Sequence, residues 1–235
     1  MYYDLHLKHN KNIEELLNES NRLGFSGVAV IQSSKKFNKD YIHDFKEFHV
    51  AKQLDIYSGV EIVAKNVNDL KKKISSLRKK VDVLIVQGGT VKINRAACED
   101  PRVDIISQPN KKRRDCGLNH ILSKEAAKNQ VAVEISLNSI LHSRYSYRSK
   151  LFSQYRDILK LHEKFKFPLL ITSGAPSIYD LRKPRDIISL TQCFAMKEQD
   201  SVNSMTSSPK KILKRTKIRP KMIVSGVRNI YTAGN

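Results

Sequence analysis

The sequence contains no tryptophan, three cysteines, nine glycines and seven prolines among its 235 residues. Three cysteines are too few for a disulfide-rich scaffold, and the glycine and proline contents are far below those of a collagen-like chain. The chain is not depleted in apolar residues as a disordered chain would be, since 40% of its residues are hydrophobic. The composition therefore indicates a folded protein, and the length suffices for one large core.

The three cysteines are Cys98, Cys116 and Cys193, and none of them belongs to a C-x-x-C pair. Their odd number and wide spacing predict neither a zinc site nor a disulfide framework. We interpret all three as small buried hydrophobic residues and assign them no chemistry.

Long hydrophobic segments are missing as well. No run approaches the roughly 18 apolar residues of a membrane-spanning helix, and no basic helix has a continuous face of large apolar residues. The first residues, Met1 to His6, lack the apolar stretch and the small-residue cleavage site of a signal peptide. We therefore expect a cytoplasmic protein that has no membrane partner.

Acidic residues are scarce relative to basic ones. Lysine and arginine number 43 against 23 aspartates and glutamates, which gives a formal net charge of +20 at pH 7. The surplus is concentrated after residue 100, and residues 201–235 contain no acidic residue. A surplus of this size predicts a polyanionic partner, and we expect nucleic acid bound through the later part of the chain.

Short apolar runs alternate with helical patterns through the first 198 residues. We predict seven strands, at residues 2–6, 25–31, 56–63, 83–86, 103–107, 131–135 and 169–171. The predicted helices include 40–53, 67–80, 118–129, 149–166 and one that begins at Pro184. Asn12 and Gly24 predict the capped start and the left-handed end of the first helix.

Strands that alternate with helices leave two architectures, a (β/α) barrel and an open doubly wound sheet. The dinucleotide signature G-x-G-x-x-G is missing, and seven units are close to the eight of a full barrel. We therefore predict an α/β fold with a TIM-barrel-like (β/α) barrel at residues 1–198. Residues 199–235 are predicted to form a basic C-terminal segment that is partly ordered or disordered.

Four polar residues lie near the ends of predicted strands, namely Asp4, His6, Glu61 and Glu134. Barrel enzymes collect such groups at the C-terminal ends of their strands, so the four could surround a divalent ion in a metal-dependent phosphoesterase. Against this, Lys8 occupies the position where a second histidine would alternate with His6. We favour a polar cluster held by internal hydrogen bonds and keep the metal site as the alternative.

Two glycine segments follow strands, Gln87–Thr90 and Ser173–Ser177. Either segment could offer backbone amides to a phosphate, but neither has the G-K-[ST] ending of a P-loop. We interpret both as strand-to-helix turns, with an anion site as the alternative.

Basic clusters occur at residues 111–114, 144–150 and 182–185, and tyrosines are interleaved with arginines in the second cluster. Arginine can pair with phosphate and stack on unpaired bases, and tyrosine adds a second stacking surface. The predicted RNA-binding residues are Arg113, Arg114, Arg144, Arg148, Arg182, Arg185, Lys210, Lys211, Lys214 and Arg215.

Six collinear segments of the chain resemble the archaeal ribonuclease P protein component 3 family over residues 2 to about 215. They are Tyr3-Asp4-Leu5-His6, Gly59-Val60-Glu61-Ile62, Asn119-His120-Ile121-Leu122, Val131-Ala132-Val133-Glu134-Ile135, Ser173-Gly174-Ala175 and Asp180-Leu181-Arg182-Lys183-Pro184. The resemblance implies a TIM-barrel-like domain related to phosphoesterases of the polymerase and histidinol phosphatase type. It also implies assembly with a smaller RRM-like subunit, protein component 2, and with the catalytic RNA that trims 5′ leaders from precursor tRNA.

By the same resemblance, Asp4, His6 and Glu61 fall where the related phosphoesterases keep metal ligands. Lys8 stands in place of their second histidine, and Ser173-Gly174-Ala175 stands in place of a late Asp-x-His. The leading hypothesis is therefore a non-catalytic subunit of the endoribonuclease, without a cofactor of its own and with Mg²⁺ bound by the partner RNA. A metal-dependent phosphoesterase and a general RNA-binding module remain as alternatives.

Overall fold

The structure is a computed structural model that describes residues 1–41, 48, 53–219, 222–224 and 227–228. The strands are β1 (Tyr2–Lys8), β2 (Phe25–Ser33), β3 (Asp55–Ile62), β4 (Val83–Gln87), β5 (Ile105–Ser107), β6 (Ala132–Ser136), β7 (Leu169–Thr172), β8 (Met222–Val224) and β9 (Val227–Arg228). The helices are α1 (Ile13–Arg22), α2 (Val67–Leu77), α3 (Val91–Glu99), α4 (His120–Asn129), α5 (Leu137–Leu141), α6 (Tyr145–Phe165), α7 (Pro184–Thr191), α8 (Glu198–Met205) and α9 (Ser207–Ile218). Short 3₁₀ turns lie at Arg78–Lys80, Ile178–Asp180 and Gln192–Phe194.

Strands β1 to β7 pair in parallel and in the order of the sequence. Each connection therefore adds the next strand on the same side of the preceding one, whereas the strand order of a doubly wound sheet reverses at one point. At the seam between the first and last strands, the Lys8 amide donates to the Ala175 carbonyl oxygen at 3.0 Å. The sheet is a nearly closed barrel, and the predicted TIM-barrel-like fold is confirmed.

Alternate residues of the strands fill the interior of the barrel, because successive side chains of a strand point to opposite faces. The buried interior cluster consists of Tyr3, Leu5, Ala29, Ile31, Val83, Ile85, Ile105, Ala132, Leu170, Ile212 and Leu213. The last two residues belong to α9, so this helix fills the end of the barrel at which the strands begin. We call that end the base and the opposite end the mouth.

The other face of each strand packs against the surrounding helices. Helix α2 illustrates the pattern, since Leu70, Ile74 and Leu77 are buried and recur close to the helical period. Its predicted range, 67–80, corresponds to α2 followed by the first 3₁₀ turn. Among the described helices, none combines the length and the apolar character that a bilayer crossing requires.

Several local predictions differ from the structure. The Asn12 side chain makes no capping hydrogen bond, although Gly24 has the predicted left-handed backbone with φ of 94°. Helix α3 was not predicted; the Thr90 hydroxyl caps it by accepting from the Ile93 amide. Cys193 is exposed, so the expectation of a buried residue is wrong there. The helix predicted at 40–53 lies mostly outside the described residues.

The segment after residue 198 contains two helices, α8 and α9, and α9 is held at the base by a buried carboxylate. Asp104, which is fully buried, accepts from Arg215 at 3.0 Å and from Arg219 at 2.8 Å. It also pairs with Arg78 and accepts from the Leu84 amide at 2.9 Å. Burial acts to raise the pKa of Asp104, but the three guanidinium groups outweigh it and lower that pKa.

This arrangement predicts that Asp104→Asn destabilises the protein strongly. The substitution leaves three guanidinium groups at the base without their counter-charge, and breaking a buried ion pair in this way costs about 3 to 5 kcal/mol. Urea denaturation followed by circular dichroism measures the loss. Glu163→Gln, which removes the exposed partner of Lys197, is the matched control and should have a far smaller effect. Equal effects of the two substitutions would contradict the role of Asp104 as the buried counter-charge of these guanidinium groups.

Candidate functional site

The mouth of the barrel is lined by polar side chains because the inward positions change character towards the ends of the strands. Ile85, Ala132 and Leu170 belong to the apolar interior, and the residues two positions later point the same way. These polar residues are Gln87, Glu134 and Thr172, and the same alternation supplies Glu61 and Ser107. The glutamates singled out in the sequence therefore both belong to this layer.

A bulge in β1 brings His6 into the polar layer. Asp4 lies opposite Val28 and Leu7 opposite Val30, so two residues of β1 face one residue of β2. The His6 amide donates to Asp4 Oδ1 at 3.1 Å. The His6 ring reaches across the barrel, where Nδ1–H donates to Glu134 Oε1 at 2.6 Å.

His6 and Glu134 form a buried ion pair. Their exposed fractions are 3% and 1%. Burial opposes the charge on His6, but the Glu134 carboxylate outweighs it and raises the pKa of His6 to about 9. Burial also opposes the charge on Glu134, and His6 in turn lowers the pKa of that carboxyl. The Thr172 hydroxyl donates a second hydrogen bond to Glu134 Oε1 at 2.6 Å.

The other two candidates, Asp4 and Glu61, are bonded to protein groups as well. The Asp4 carboxylate accepts from the Ser173 amide at 3.1 and 3.2 Å, which ties the turn after β7 to β1. Burial raises the pKa of Asp4 despite these bonds. Glu61 Oε1 accepts from the Ser107 hydroxyl at 2.8 Å and from Gln87 at 3.4 Å.

These contacts do not fit a divalent metal ion. His6 Nε2 and Glu134 Oε2 are the only atoms of this pair without a protein partner, and an ion needs at least three ligands. Within the described ranges, no three histidine, cysteine or carboxylate side chains are grouped so as to hold one. The Lys8 ammonium is close enough to act on both side chains, since its charge slightly opposes the protonation of His6 and favours the ionised form of Glu134, and it would repel a dication.

The glycine segments use their backbone amides within the protein. The Gly88 amide donates to the Ser107 carbonyl oxygen at 2.7 Å, and the Gly89 amide to Asn94 Oδ1 at 2.9 Å. In the second segment, the Ser173 amide is bonded to Asp4 and the Ala175 amide donates to Ser173 Oγ at 3.1 Å. Four amides of the two segments, those of Gly88, Gly89, Ser173 and Ala175, are therefore already bonded within the protein, which favours simple turns over an anion site.

The predicted RNA-binding residues fall into two groups at opposite ends of the barrel. Five exposed arginines follow the C-terminal ends of β5, β6 and β7 at the mouth: Arg114, Arg144, Arg148, Arg182 and Arg185. Three exposed lysines lie on α9 at the base: Lys210, Lys211 and Lys214. Sequence reasoning did not identify Lys111 as a mouth residue, although its ammonium donates to Gln87 Oε1 at 2.9 Å.

Two of the predicted residues are bonded to other groups of the protein. The Arg113 guanidinium makes two hydrogen bonds of 2.6 Å to the Asp115 carboxylate. Arg215 donates to Asp104 and to backbone carbonyl oxygens of Val103, Asn129 and Gln130. Both guanidinium groups are paired with a carboxylate, so the structure does not present them as free phosphate ligands.

The chain is similar to known proteins along nearly its whole length. The family model for RNase P subunit p30 matches residues 1–221. Ribonuclease P protein component 3 of Methanothermobacter thermautotrophicus is 42% identical over 232 residues, which cover 97% of this chain and 94% of the relative. The protein of the same name from Methanosarcina mazei is 36% identical over 217 residues, 92% of this chain and 88% of the relative.

Two solved structures share the fold. A chain in the cryo-EM structure of archaeal ribonuclease P with mature tRNA has a TM-score of 0.85 at 27% identity, with 99% of this chain and all of that chain covered. The organophosphorus hydrolase from Deinococcus radiodurans has a TM-score of 0.50 at 11% identity, with 90% and 91% covered, and this likeness concerns the fold alone.

The buried pair predicts that stability falls in alkaline solution. The pKa of His6 is raised from an ordinary value near 6.5 to about 9, so the pair stabilises the fold fully below pH 6.5 and is lost as the pH rises through 9. The expected loss is about 3 kcal/mol. Urea denaturation of the wild type and of Glu134→Gln between pH 6 and 10 measures it, and the dependence should flatten in the variant. A parallel decline in both proteins would contradict the pairing.

Proposed function

Because the chain belongs to the RNase P subunit p30 family, we propose that it is a protein subunit of ribonuclease P, the ribonucleoprotein that removes the 5′ leader from precursor tRNA. The observation that carries the proposal is the likeness, over 99% of this chain, to a chain of archaeal ribonuclease P bound to tRNA. Its partners in this proposal are the ribonuclease P RNA, precursor tRNA within the assembled enzyme, and the smaller RRM-like protein component 2. The particle would act in the cytoplasm.

The chemistry of the mouth supports a subunit that does not itself cut RNA. Hydrolysis of a phosphodiester by a barrel of this kind needs an activated water and a charge opposite the developing oxyanion. Here the carboxylates of Asp4 and Glu61 accept hydrogen bonds from protein groups, and Glu134 is neutralised by His6. In this proposal the RNA and its Mg²⁺ ions perform the cleavage, and the chain needs no cofactor.

The charge distribution supports an electrostatic role for the protein. A folded RNA brings phosphates close together, and nearby cations reduce their mutual repulsion. The exposed arginines at the mouth and the exposed lysines of α9 place positive charge at both ends of the barrel. One subunit can therefore contact two separate stretches of RNA backbone.

A salt titration tests the phosphate contacts. Each Lys or Arg that neutralises a phosphate contributes about −0.7 to −0.9 to the slope of log K against log salt concentration. Arg144→Ala and Arg185→Ala should therefore each flatten the slope by about one contact in filter binding with the ribonuclease P RNA. Arg22→Ala removes the same charge from an arginine already paired with Glu19 and is the control that should leave the slope unchanged. A wild-type affinity that does not depend on salt would refute the phosphate contacts.

Reconstituted cleavage of precursor tRNA tests whether the RNA or this chain performs the chemistry. Addition of the chain to the RNA and the other protein subunits should lower the Mg²⁺ concentration required for half-maximal cleavage. Its lysines and arginines neutralise phosphates that Mg²⁺ would otherwise have to neutralise. Glu61→Gln should change the cleavage rate by less than about twofold. Loss of an essential catalytic group would instead lower the rate by a factor of 10³ or more, and that result would show that this chain carries out the chemistry.

A further inference from the structure

Three tyrosines at the mouth of the barrel are exposed to solvent. The exposed fractions of Tyr145, Tyr147 and Tyr179 are 91%, 57% and 82%. Five exposed cations flank them, and together they form what we call the tyrosine–arginine surface, which consists of Tyr145, Tyr147, Tyr179, Arg144, Arg148, Arg182, Lys183 and Arg185. We propose that this surface binds unpaired nucleotides of RNA, with the tyrosine rings stacked on bases and the cations on phosphates. The inference deepens the proposed function and rests on it.

The clustering of these rings is unusual for the molecule. Only six large hydrophobic side chains are exposed within the described part of the chain, and the three tyrosines make up half of them. A single exposed apolar residue needs no explanation, but a group of them marks a contact surface. The remaining three, Met1, Val91 and Ile121, lie on other segments of the fold.

Two loops carry the surface, and a short hydrogen bond joins them. Tyr145 and Tyr147 begin α6, which follows β6, whereas Tyr179 lies in the 3₁₀ turn after β7. His142 Nε2 and Asp180 Oδ1 are 2.6 Å apart, so a residue three positions before Tyr145 is tied to the neighbour of Tyr179. The tyrosines are therefore held within the reach of a few nucleotides.

The two loops also fix arginines beside the rings. Arg182 Nη1 donates to the Tyr179 carbonyl oxygen at 2.7 Å, and Arg148 Nη2 donates to the Ser143 carbonyl oxygen at 2.5 Å. These bonds use one edge of each guanidinium group and leave its remaining N–H groups for phosphate. A guanidinium plane can also stack on a base.

The backbone of Tyr145 holds its ring outward at an energetic cost. Its φ is 46°, in the left-handed region that bulky residues rarely adopt and that glycine tolerates. A tyrosine at this position gains no burial to compensate, since its side chain is almost fully exposed. Backbone strain of this kind clusters at ligand-contacting positions, which supports the assignment of Tyr145 to a binding surface.

The positive charge of the tyrosine–arginine surface favours RNA over a protein as its partner. Nearby carboxylates are few: Asp180 bonds to His142 and Ser177, and Asp186 lies in the first turn of α7. Five cations against these two give a positive surface, which complements phosphate. Stacking requires the flat face of a base, which a single strand offers and a duplex hides within its own stack. The chemical class that fits is therefore unpaired RNA.

The test uses the full-length chain and three probes of equal length, about twelve units each: single-stranded oligouridine, an RNA duplex, and a ribose-phosphate oligomer without bases. Fluorescence anisotropy should show that Tyr145→Ala with Tyr179→Ala lowers the affinity for oligouridine by about 30-fold or more, because each lost stacking contact alone accounts for roughly 5- to 150-fold. The affinity for the base-free oligomer and the salt slope should not change. Tyr145→Phe with Tyr179→Phe should retain affinity for oligouridine, because phenylalanine also stacks.

Ile121→Ala is the matched control, since it removes an exposed apolar side chain from the start of α4. Unchanged oligouridine binding in the tyrosine-to-alanine variant would overturn the inference while leaving the proposed function intact. An equal loss for the base-free oligomer would overturn it too. If that variant bound RNA normally but failed to assemble with the other protein subunits, the surface would be a protein interface. Failure of the wild-type chain to bind any RNA would refute the proposed function itself.

Discussion

Side chains of a barrel strand alternate between the interior and the outer helices, so every second residue of seven strands lies in one narrow interior. That interior must be filled without voids or unpaired polar groups. Apolar residues fill it near the base, where Ile212 and Leu213 of α9 complete the packing. Polar residues fill it near the mouth, and they can be buried there because each has a hydrogen-bond partner at short distance. The position of α9 and the pairing of His6 with Glu134 both follow from the need to fill this interior and to satisfy its polar groups.

Two buried carboxylates of this molecule are paired with cations, whereas many exposed lysines and arginines have no acidic partner within the described residues. Asp104 is surrounded by Arg78, Arg215 and Arg219, and the carboxylate of Glu134 is matched by His6. Burying an unpaired charge costs far more than leaving it in water. The buried carboxylates of Asp104 and Glu134 are therefore paired with cations. The surplus of lysine and arginine therefore remains on the surface, where a polyanion can reach it. The same distribution leaves the mouth with too few grouped ligands for a metal among the described residues.

Much of the architecture was predictable because strand and helix patterns are local properties of the chain. The seven apolar runs identified the seven strands, and Glu61 and Glu134 were correctly placed near the ends of two of them. Other features were not visible. The bulge that turns His6 towards Glu134 depends on unequal pairing between β1 and β2, and Asp104 meets its arginines across 26, 111 and 115 residues of sequence. No local pattern encodes contacts at such separations.

The sequence by itself determined the class of fold, the cationic character and the family resemblance, because composition, periodicity and collinear motifs are read along the chain. Only the tertiary structure decided which cations are available. Arg113 and Arg215 looked equivalent to Arg114 and Lys214, yet the first two are bonded to Asp115 and Asp104. It also brought Tyr179 beside the loop of Tyr145. Whether a side chain is free or occupied depends on neighbours that folding brings near, and those neighbours are distant in sequence.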